Sequence, residues 1–556
     1  MSDRADIIIT HARVLTMDES IPHAQALAIA GNRIIAVGTA ADVAELRSPS
    51  TRIIDAQGCS VLPGFIESHM HLFSGAGELG NLDLSGVSGL QRLLSALSAY
   101  EASRPGAGLL IANQTNYTIL SNTERLSRHH LDKAVPDRPL ICIAPDHHTA
   151  WANSRALEAA GILHGRDLPA GNEIVVGSDG KAAGELRETE AIRLVYQLKD
   201  GGNRDRLGLE TGGEPDPAPS AAERAYDRAL IKRGLDYCAS FGITSIHNMD
   251  GNFYICERLD EINREGGFTA RVQVPYHFKN FMPLANLEKA SALTSRYHSD
   301  RLHSGRVKIF IDGVLDSWTA VMVEPYADRP GHRGDLLFSA QHFAEIAVDC
   351  DRRGLQISVH AIGDGAVRTV LDGYALARSR NGLRDSRHRI EHIEVVNPTD
   401  IPRFKELGVI ASMQPLHPPG QMGLPLEPTL SRMGEHRWAS AYAWRTLLAA
   451  GARMVLASDW PVSAVNPLIS IQSAVTRGVW RPGLPEQKLS LLEAIAGYTR
   501  WGAYAEFCED KKGMLKRGML ADIVVLGADI EAHDPGAIKD IPIRYTICDG
   551  KITHEG

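Results

Sequence analysis

A chain of 556 residues exceeds a single average domain, although one α/β barrel with insertions can use most of that length. Hydrophobic residues at 44% and charged ones at 23% are ordinary for a folded protein; they exclude extended disorder and leave material for a large core. The balance of 59 basic against 67 acidic residues gives a net charge of -8, with no basic run able to track a phosphate backbone, so nucleic acid is not an expected partner.

The seven cysteines, at 59, 142, 238, 256, 350, 508 and 548, are scattered and form no C-x-x-C. Neither a disulfide framework nor a cysteine zinc site is suggested, and a reducing cytoplasm fits. The opening MSDRADIIITHARVL has no basic region followed by an apolar core, and no apolar run approaches 18 residues. Neither export nor membrane insertion is expected.

Residues 6–60 alternate short β-branched runs, Asp6-Ile-Ile-Ile-Thr10, Ala26-Leu-Ala-Ile-Ala30, Arg33-Ile-Ile-Ala-Val37 and Arg52-Ile-Ile-Asp55, with turn signals at Gly31-Asn32 and Gly58. This predicts a small antiparallel sheet. The same texture returns in Ala521-Asp-Ile-Val-Val-Leu526 and from Ile543 to Ile552, so residues 1–60 and 510–556 are expected to build one composite β-sandwich domain.

Between them the predicted strands are Val61–Leu72, Leu140–Ala144, Gly242–His247, Arg306–Ile311, Leu355–His360, Arg389–His392, Val409–Met413 and Met454–Ser458. Strands separated by helical patterns indicate parallel βαβ units, most simply a closed (β/α)8 TIM barrel over 61–509. The interval from His360 to His392 is close to the roughly 31 residues per unit of a minimal barrel. The first half is longer, and the excess is assigned to insertions at about 73–138 and 153–225. The second contains Gly201-Gly-Asn203 and leads into the Pro-rich Glu214-Pro-Asp-Pro-Ala-Pro-Ser220, both expected as loop.

In a barrel the C-terminal strand ends converge on one mouth. Here those ends read His69 and His71, Lys308, His360, His392 and Asp459. Side chains alternate along a strand, so His69 and His71 share a face about 7 Å apart, a spacing at which two imidazoles can grip one ion. One His-x-His alone means little, since 22 His in 556 residues give about one by chance. Four histidines, a lysine and an aspartate at the strand ends of one barrel are a different matter.

Set in LPGFIESHMH, VKIFIDG, SVHAIGD, RIEHIE and ASDWP, these residues resemble the amidohydrolase superfamily, and more narrowly the subgroup that includes N-substituted formamide deformylase. The resemblance covers nearly the whole chain, through LDKAVPDRPL, HTAWANSRALEAAGI, GELRE, SMQPLH and KGMLKRGMLADIVVL. One departure is Glu67, where many superfamily members carry Asp two residues before the first metal histidine.

The resemblance implies two divalent metal ions, with zinc suited to mixed N/O ligation. His69, His71 and Asp459 would hold one ion and His360 with His392 the other. Lys308, carbamylated by carbon dioxide, would bridge them. It further implies hydrolysis of an amide or other C–N bond of a small organic molecule by metal-activated hydroxide, with Asp459 as the catalytic proton carrier. His148 and Trp151 after the second predicted strand, Trp318 after the fourth, and Gln414 with His417 after the seventh are candidates for holding substrate. Beside a small-molecule substrate the expected partner is a second copy of the chain, in a homo-oligomer (dimer). A mononuclear-metal deaminase, an ester or carbamate hydrolase and a non-catalytic scaffold stay open as alternatives.

Overall fold

The computed structural model describes residues 4–556 apart from 105, 107, 122, 146, 170, 171, 200 and 201, so Gly201 of the expected Gly-Gly turn lies outside the described residues. The chain forms a mixed α/β fold of two compact units. One comprises Met1–Phe73, Thr211–Glu214 and Leu230–Gly556; the other comprises Ser74–Glu210 and Pro215–Ala229. Among the described residues no helix is long and apolar enough to cross a membrane.

In the first unit, two sheets are built from the chain ends. One has the order Arg33–Gly38, Ala26–Ala30, Ile7–Thr10, Arg52–Asp55. It is not purely antiparallel as expected, because Ile7–Thr10 pairs antiparallel with Ala26–Ala30 but parallel with Arg52–Asp55. A parallel pair needs a long crossover, and the hairpin and helix lying between Thr10 and Arg52 supply it. The second sheet runs Lys551–Glu555, Ile543–Cys548, Ile523–Leu526, Ser60–Pro63, Arg13–Leu15, His23–Ala24. Its central pairing, Leu62 opposite Val524, joins strands more than 450 residues apart in sequence. Alternate residues of these strands, Ile7 and Ile9, Leu27 and Ile29, Ile523 and Val525, share one buried cluster with Val61 and Ile547, which is the period of two that a half-buried strand requires.

The predicted strand Val61–Leu72 is two strands parted at Gly64, Ser60–Pro63 in the terminal sheet and Phe65–Met70 in a parallel sheet. At the crossing, Gly64 N donates to Asp522 O at 2.8 Å and Phe65 N to Gly242 O at 2.9 Å. A Cβ at residue 64 would stand 2.3 Å from the Thr244 side chain, so only glycine lets the chain pass so closely from one sheet to the other.

The parallel strands form two hydrogen-bonded sheets. Four lie in the order Leu302–His303, Arg271–Gln273, Ile243–Asn248, Phe65–Met70; six lie in the order Tyr276–His277, Arg306–Phe310, Gln356–Ala361, Arg389–His392, Ile410–Met413, Arg453–Leu456. A closed eight-stranded ring is not what the hydrogen bonds draw. At one seam the ladder is interrupted: Arg271–Gln273 pairs with Ile243–Asn248 and Leu302–His303, Tyr276–His277 pairs with Arg306–Phe310, and Val274-Pro275 lies between them, where proline lacks the N–H a ladder needs. The other seam holds a single bridge, Met70 to Trp460, flanked by Asp459 N to His69 O and His71 N to Trp460 O, each 2.8 Å. Helices cover these strands, and Ala340–Arg352 shows why: Ser339 caps its N-terminus through His342 N, and Phe343, Ile346, Ala347 and Cys350 form one buried stripe.

Leu140–Ile143, expected as the second barrel strand, belongs instead to the second unit. There it sits in a six-stranded mixed sheet ordered Glu173–Val176, Ala182–Arg187, Thr149–Ala152, Leu140–Ile143, Leu110–Asn113, Leu82–Asp83. The segments expected as two insertions are therefore one body that includes the strand between them. An all-apolar run is equally at home in any sheet buried on both faces, which is why its pattern did not distinguish the two.

Ile523 is fully buried at the pairing of the two chain ends. Ile523→Ala is expected to cost about 2–5 kcal/mol. It should lower the urea midpoint of unfolding, and an unchanged midpoint would show that the terminal sheets lie outside the cooperative unit.

Candidate metal centre

The strand Phe65–Met70 is buried along its whole length and delivers His69 and, one residue past its end, His71. Each imidazole is oriented from behind by a carboxylate. His69 Nδ1 lies 2.7 Å from Glu391 Oε2, and His71 Nδ1 is hydrogen-bonded to Asp250 Oδ1. An ionised carboxylate only accepts, so each Nδ1 carries the proton and Nε2 is left for the front of the site. Both Nε2 atoms lie 3.2 Å from the same oxygen, Asp459 Oδ1.

His69, His71 and Asp459 are 1%, 6% and 6% exposed, so little water screens them. Electron-rich atoms meeting there need positive charge between them. In the bare protein protons supply it: burial opposes charge on His71, but Asp250 and Asp459 outweigh it and push the imidazole up to about 9. Burial likewise opposes charge on Asp459, yet His69, His71 and His392 hold its carboxyl well below the usual range. Two neutral imidazoles and a carboxylate with donor atoms all within 4.8 Å also match the donor set of a divalent cation, so these residues fit a metal.

The remaining expected ligands surround this trio unevenly. The His392 ring centroid lies 5.0 Å from that of His69 and 4.6 Å from that of His360, and its Nδ1 is 3.0 Å from Gln414 Oε1. His392 has φ 77° and Asp459 φ 61°. The turn at His392 lets both it and its neighbour Glu391 reach the site, where plain alternation would send them to opposite faces. His360 Nε2 lies 3.1 Å from Gly313 O and 3.6 Å from Asp312 Oδ1. Lys308 is fully buried; its Nζ has no hydrogen-bond partner among the described residues and lies 4.5 Å from the Phe310 ring centroid. Burial lowers its pKa to about 8 despite the opposing pull of Glu391 and Asp459.

Of the residues expected to hold substrate, two stand among the expected ligands. His417 stacks on His392 at 5.8 Å and brings Nε2 to 3.9 Å from Asp459 Oδ2, so His392, His417 and Asp459 form a second group of donors. Gln414 orients His392. Trp318 donates to Asp328 at 3.1 Å and lies 3.8 Å from the Arg432 guanidinium, an arrangement that fixes its own loop. His148 and Trp151 belong to the second unit. There His148 is 2.8 Å from Glu188, and Trp151 is 2% exposed against Tyr117 in an apolar cluster.

Sequence pattern did not single out Asp250, Glu391 or Arg389. Arg389 is fully buried and grips both oxygens of Glu391 at 2.9 Å while donating to Ser68 O and Ser412 Oγ. The signal available for it was an arginine two residues before Glu391, on the same face of a strand. Glu67, the departure at the first metal motif, is also fully buried and is not a ligand. Its Oε1 accepts from Ser458 N at 2.9 Å and His69 N at 3.2 Å, stapling the two segments that carry Asp459 and His69. Burial pushes its carboxyl up to about 8 against those hydrogen bonds.

A sequence profile of the amidohydrolase family matches residues 52–554. The chain is 30% identical to Protein LONG AFTER FAR-RED 3 of Arabidopsis thaliana, covering 94% of this chain and 88% of that one. It is 25% identical to the N-substituted formamide deformylase of Arthrobacter pascens, covering 100% and 99%. Among solved structures, an uncharacterized metal-dependent hydrolase from Pyrococcus furiosus is similar with a TM-score of 0.70 at 25% identity, covering 95% of this chain and 99% of that one.

If Glu391 sets the tautomer and aim of His69, Glu391→Gln should weaken metal retention by about 10–100-fold. Metal content after dialysis against graded chelator measures this, and wild-type retention would show that Glu391 serves only the packing around Arg389.

Proposed function

Because the chain belongs to the amidohydrolase family, we propose that this metal-dependent hydrolase cleaves an amide or other C–N bond of a small organic substrate, using His69, His71 and Asp459 for one divalent ion and His360 with His392 for a second, bridged by carbamylated Lys308. The observation that carries the reading is the convergence of two Nε2 atoms on Asp459 Oδ1, with Nδ1 of each imidazole tied to a carboxylate behind it. Nitrogen and oxygen donors without sulfur suit zinc. When bound, such ions acidify a water to make it a nucleophile and polarise the carbonyl that it attacks.

Lys308 supports the second half of the proposal. Its amine has no hydrogen-bond partner among the described residues, and carbon dioxide reacts with the neutral amine alone, forming a carbamate and releasing one proton. At a pKa of about 8 roughly one amine in ten is neutral at pH 7, against about one in 2,500 for an ordinary lysine. The product is an anion with two oxygens, which turns a cation facing the metal ligands into a ligand itself.

Asp459 is placed to move the proton. Oδ1 lies 3.2 Å from Nε2 of both His69 and His71 while Oδ2 lies 3.9 Å from His417 Nε2, which supports a proton-carrying role for Asp459. An amine leaves poorly unless protonated, and handing it that proton is the work proposed for Asp459. Glu67, Glu391, Asp250 and Gln414 act through the ligands they hold.

Asp459→Asn is expected to lower kcat by at least about 10²-fold. Lys308→Ala should lose metal and turnover together, with partial rescue by formate or acetate, which supply a bridging carboxylate. Lys308→Arg should be no better than Lys308→Ala, because a guanidinium stays charged. Wild-type turnover with two metals bound in Lys308→Arg would refute the bridge, and wild-type turnover with one metal bound would favour a single-ion deaminase. Full activity after exhaustive demetallation would end the proposal altogether.

A further inference from the structure

The strand Arg306–Phe310 carries two cations two residues apart, hence on one face, Lys308 and Arg306. Lys308 belongs to the metal centre and Arg306 does not. Arg306 is 1% exposed. Its Nε donates to Gln356 Oε1 at 2.8 Å, and the Gln356 amide is itself fixed by the carbonyls of Arg387 and Ala505 at 2.6 and 2.8 Å. Beyond that bond, Nη1 and Nη2 have no hydrogen-bond partner among the described residues. A guanidinium keeps its proton inside a protein, so four N–H groups and a full positive charge lie buried without an acceptor.

The charged neighbours do not balance it. Those that act on Arg306 are Arg389, Glu391 and Glu506. Glu391 is occupied by both arms of Arg389 and by His69. Glu506 pairs with Lys512 at 2.6 Å, and Lys512 also donates to Ser245 Oγ at 2.6 Å. The other titratable groups beside Glu506 are His247 and His303, at 3.2 and 3.5 Å. Burial lowers these imidazoles to about 3 and about 4 against the pull of Glu506, so both are neutral near pH 7. Glu391 and Glu506 are thus each committed to another cation, and among the described residues neither forms an ion pair with Arg306. Ser358 Oγ, two residues beyond Gln356 and on its face of the strand, is also buried without a partner.

We propose that the interior of this unit binds one small monovalent anion, of the charge and size of chloride, on Nη1 and Nη2 of Arg306. The site offers buried N–H donors that carry a positive charge, which one singly charged acceptor satisfies in the company of Glu391 and Glu506. A buried charge left unpaired is costly, and the anion removes that cost without drawing Glu391 away from His69.

Bromide is the probe. Crystals of the full-length protein prepared in bromide without chloride should show an anomalous bromine peak against Nη1 and Nη2 of Arg306. In solution, the melting temperature at constant ionic strength should rise by about 1–2 °C for each tenfold replacement of gluconate by bromide, and Arg306→Gln should abolish the dependence. No anomalous peak at Arg306, with equal melting in the two salts, would mean that water alone satisfies the guanidinium and would overturn the proposal. Should Arg306→Gln not fold, the wild-type bromide map decides. None of these outcomes depends on metal occupancy or turnover, so the anion site stands or falls apart from the proposed hydrolase chemistry.

Discussion

Everything in the first unit is arranged around the need to hold like-acting groups together where water cannot screen them. Two imidazole nitrogens 3.2 Å from one carboxylate oxygen, in a site less than a tenth exposed, are unstable unless positive charge lies between them. That constraint explains the carboxylates behind the histidines. Glu391 and Asp250 fix the Nδ1 protons and point both Nε2 atoms forward, while Arg389 pins Glu391 so that it cannot turn toward the ligands instead.

The same constraint reaches down the strands. From His69 the contacts run through Glu391, Arg389 and His247 to Glu506 and Lys512, touching three strands and the segment that follows the helix Arg500–Ala505. Each charge in this column leans on the next, so substitution of one member leaves another buried and uncompensated, and breaking such a pair is costlier than never having had it. Polar residues stand where small barrels usually pack branched aliphatic side chains, which makes this interior a support for the site as much as a core.

Backbone topology supplies the remaining precision. Gly64 carries the chain from the terminal sheet into the parallel one within a single residue, so the strand bearing His69 is anchored by the pairing of Ser60–Pro63 with Ile523–Leu526. At its far end the strand is tied to Asp459 and Trp460 by backbone hydrogen bonds, and Glu67 staples the same seam from the side. The carboxylate and the two imidazoles thus meet at a junction where three independent sets of bonds agree. A shift of either strand would have to break all three.

Several things were legible in the residues themselves. His69 and His71 share a face because a strand has a period of two, and the composite origin of the terminal sheets could be read from β-branched runs at both ends. Local chemistry determined these, since they depend on spacing along the chain. The motifs around Lys308, His360, His392 and Asp459 pointed to the family through resemblance, not through spacing. Tertiary structure alone decided the rest. Leu140–Ile143 went to another sheet because an apolar run does not say which partner it will find, and Arg271–Gln273 was passed over because a short strand ending at proline resembles a loop. Asp250 and Glu391 were invisible because their roles are set by what they meet across hundreds of residues, and the approach of His417 to Asp459 was hidden for the same reason. A sequence specifies which groups can bond; burial in one folded interior decides which of them must.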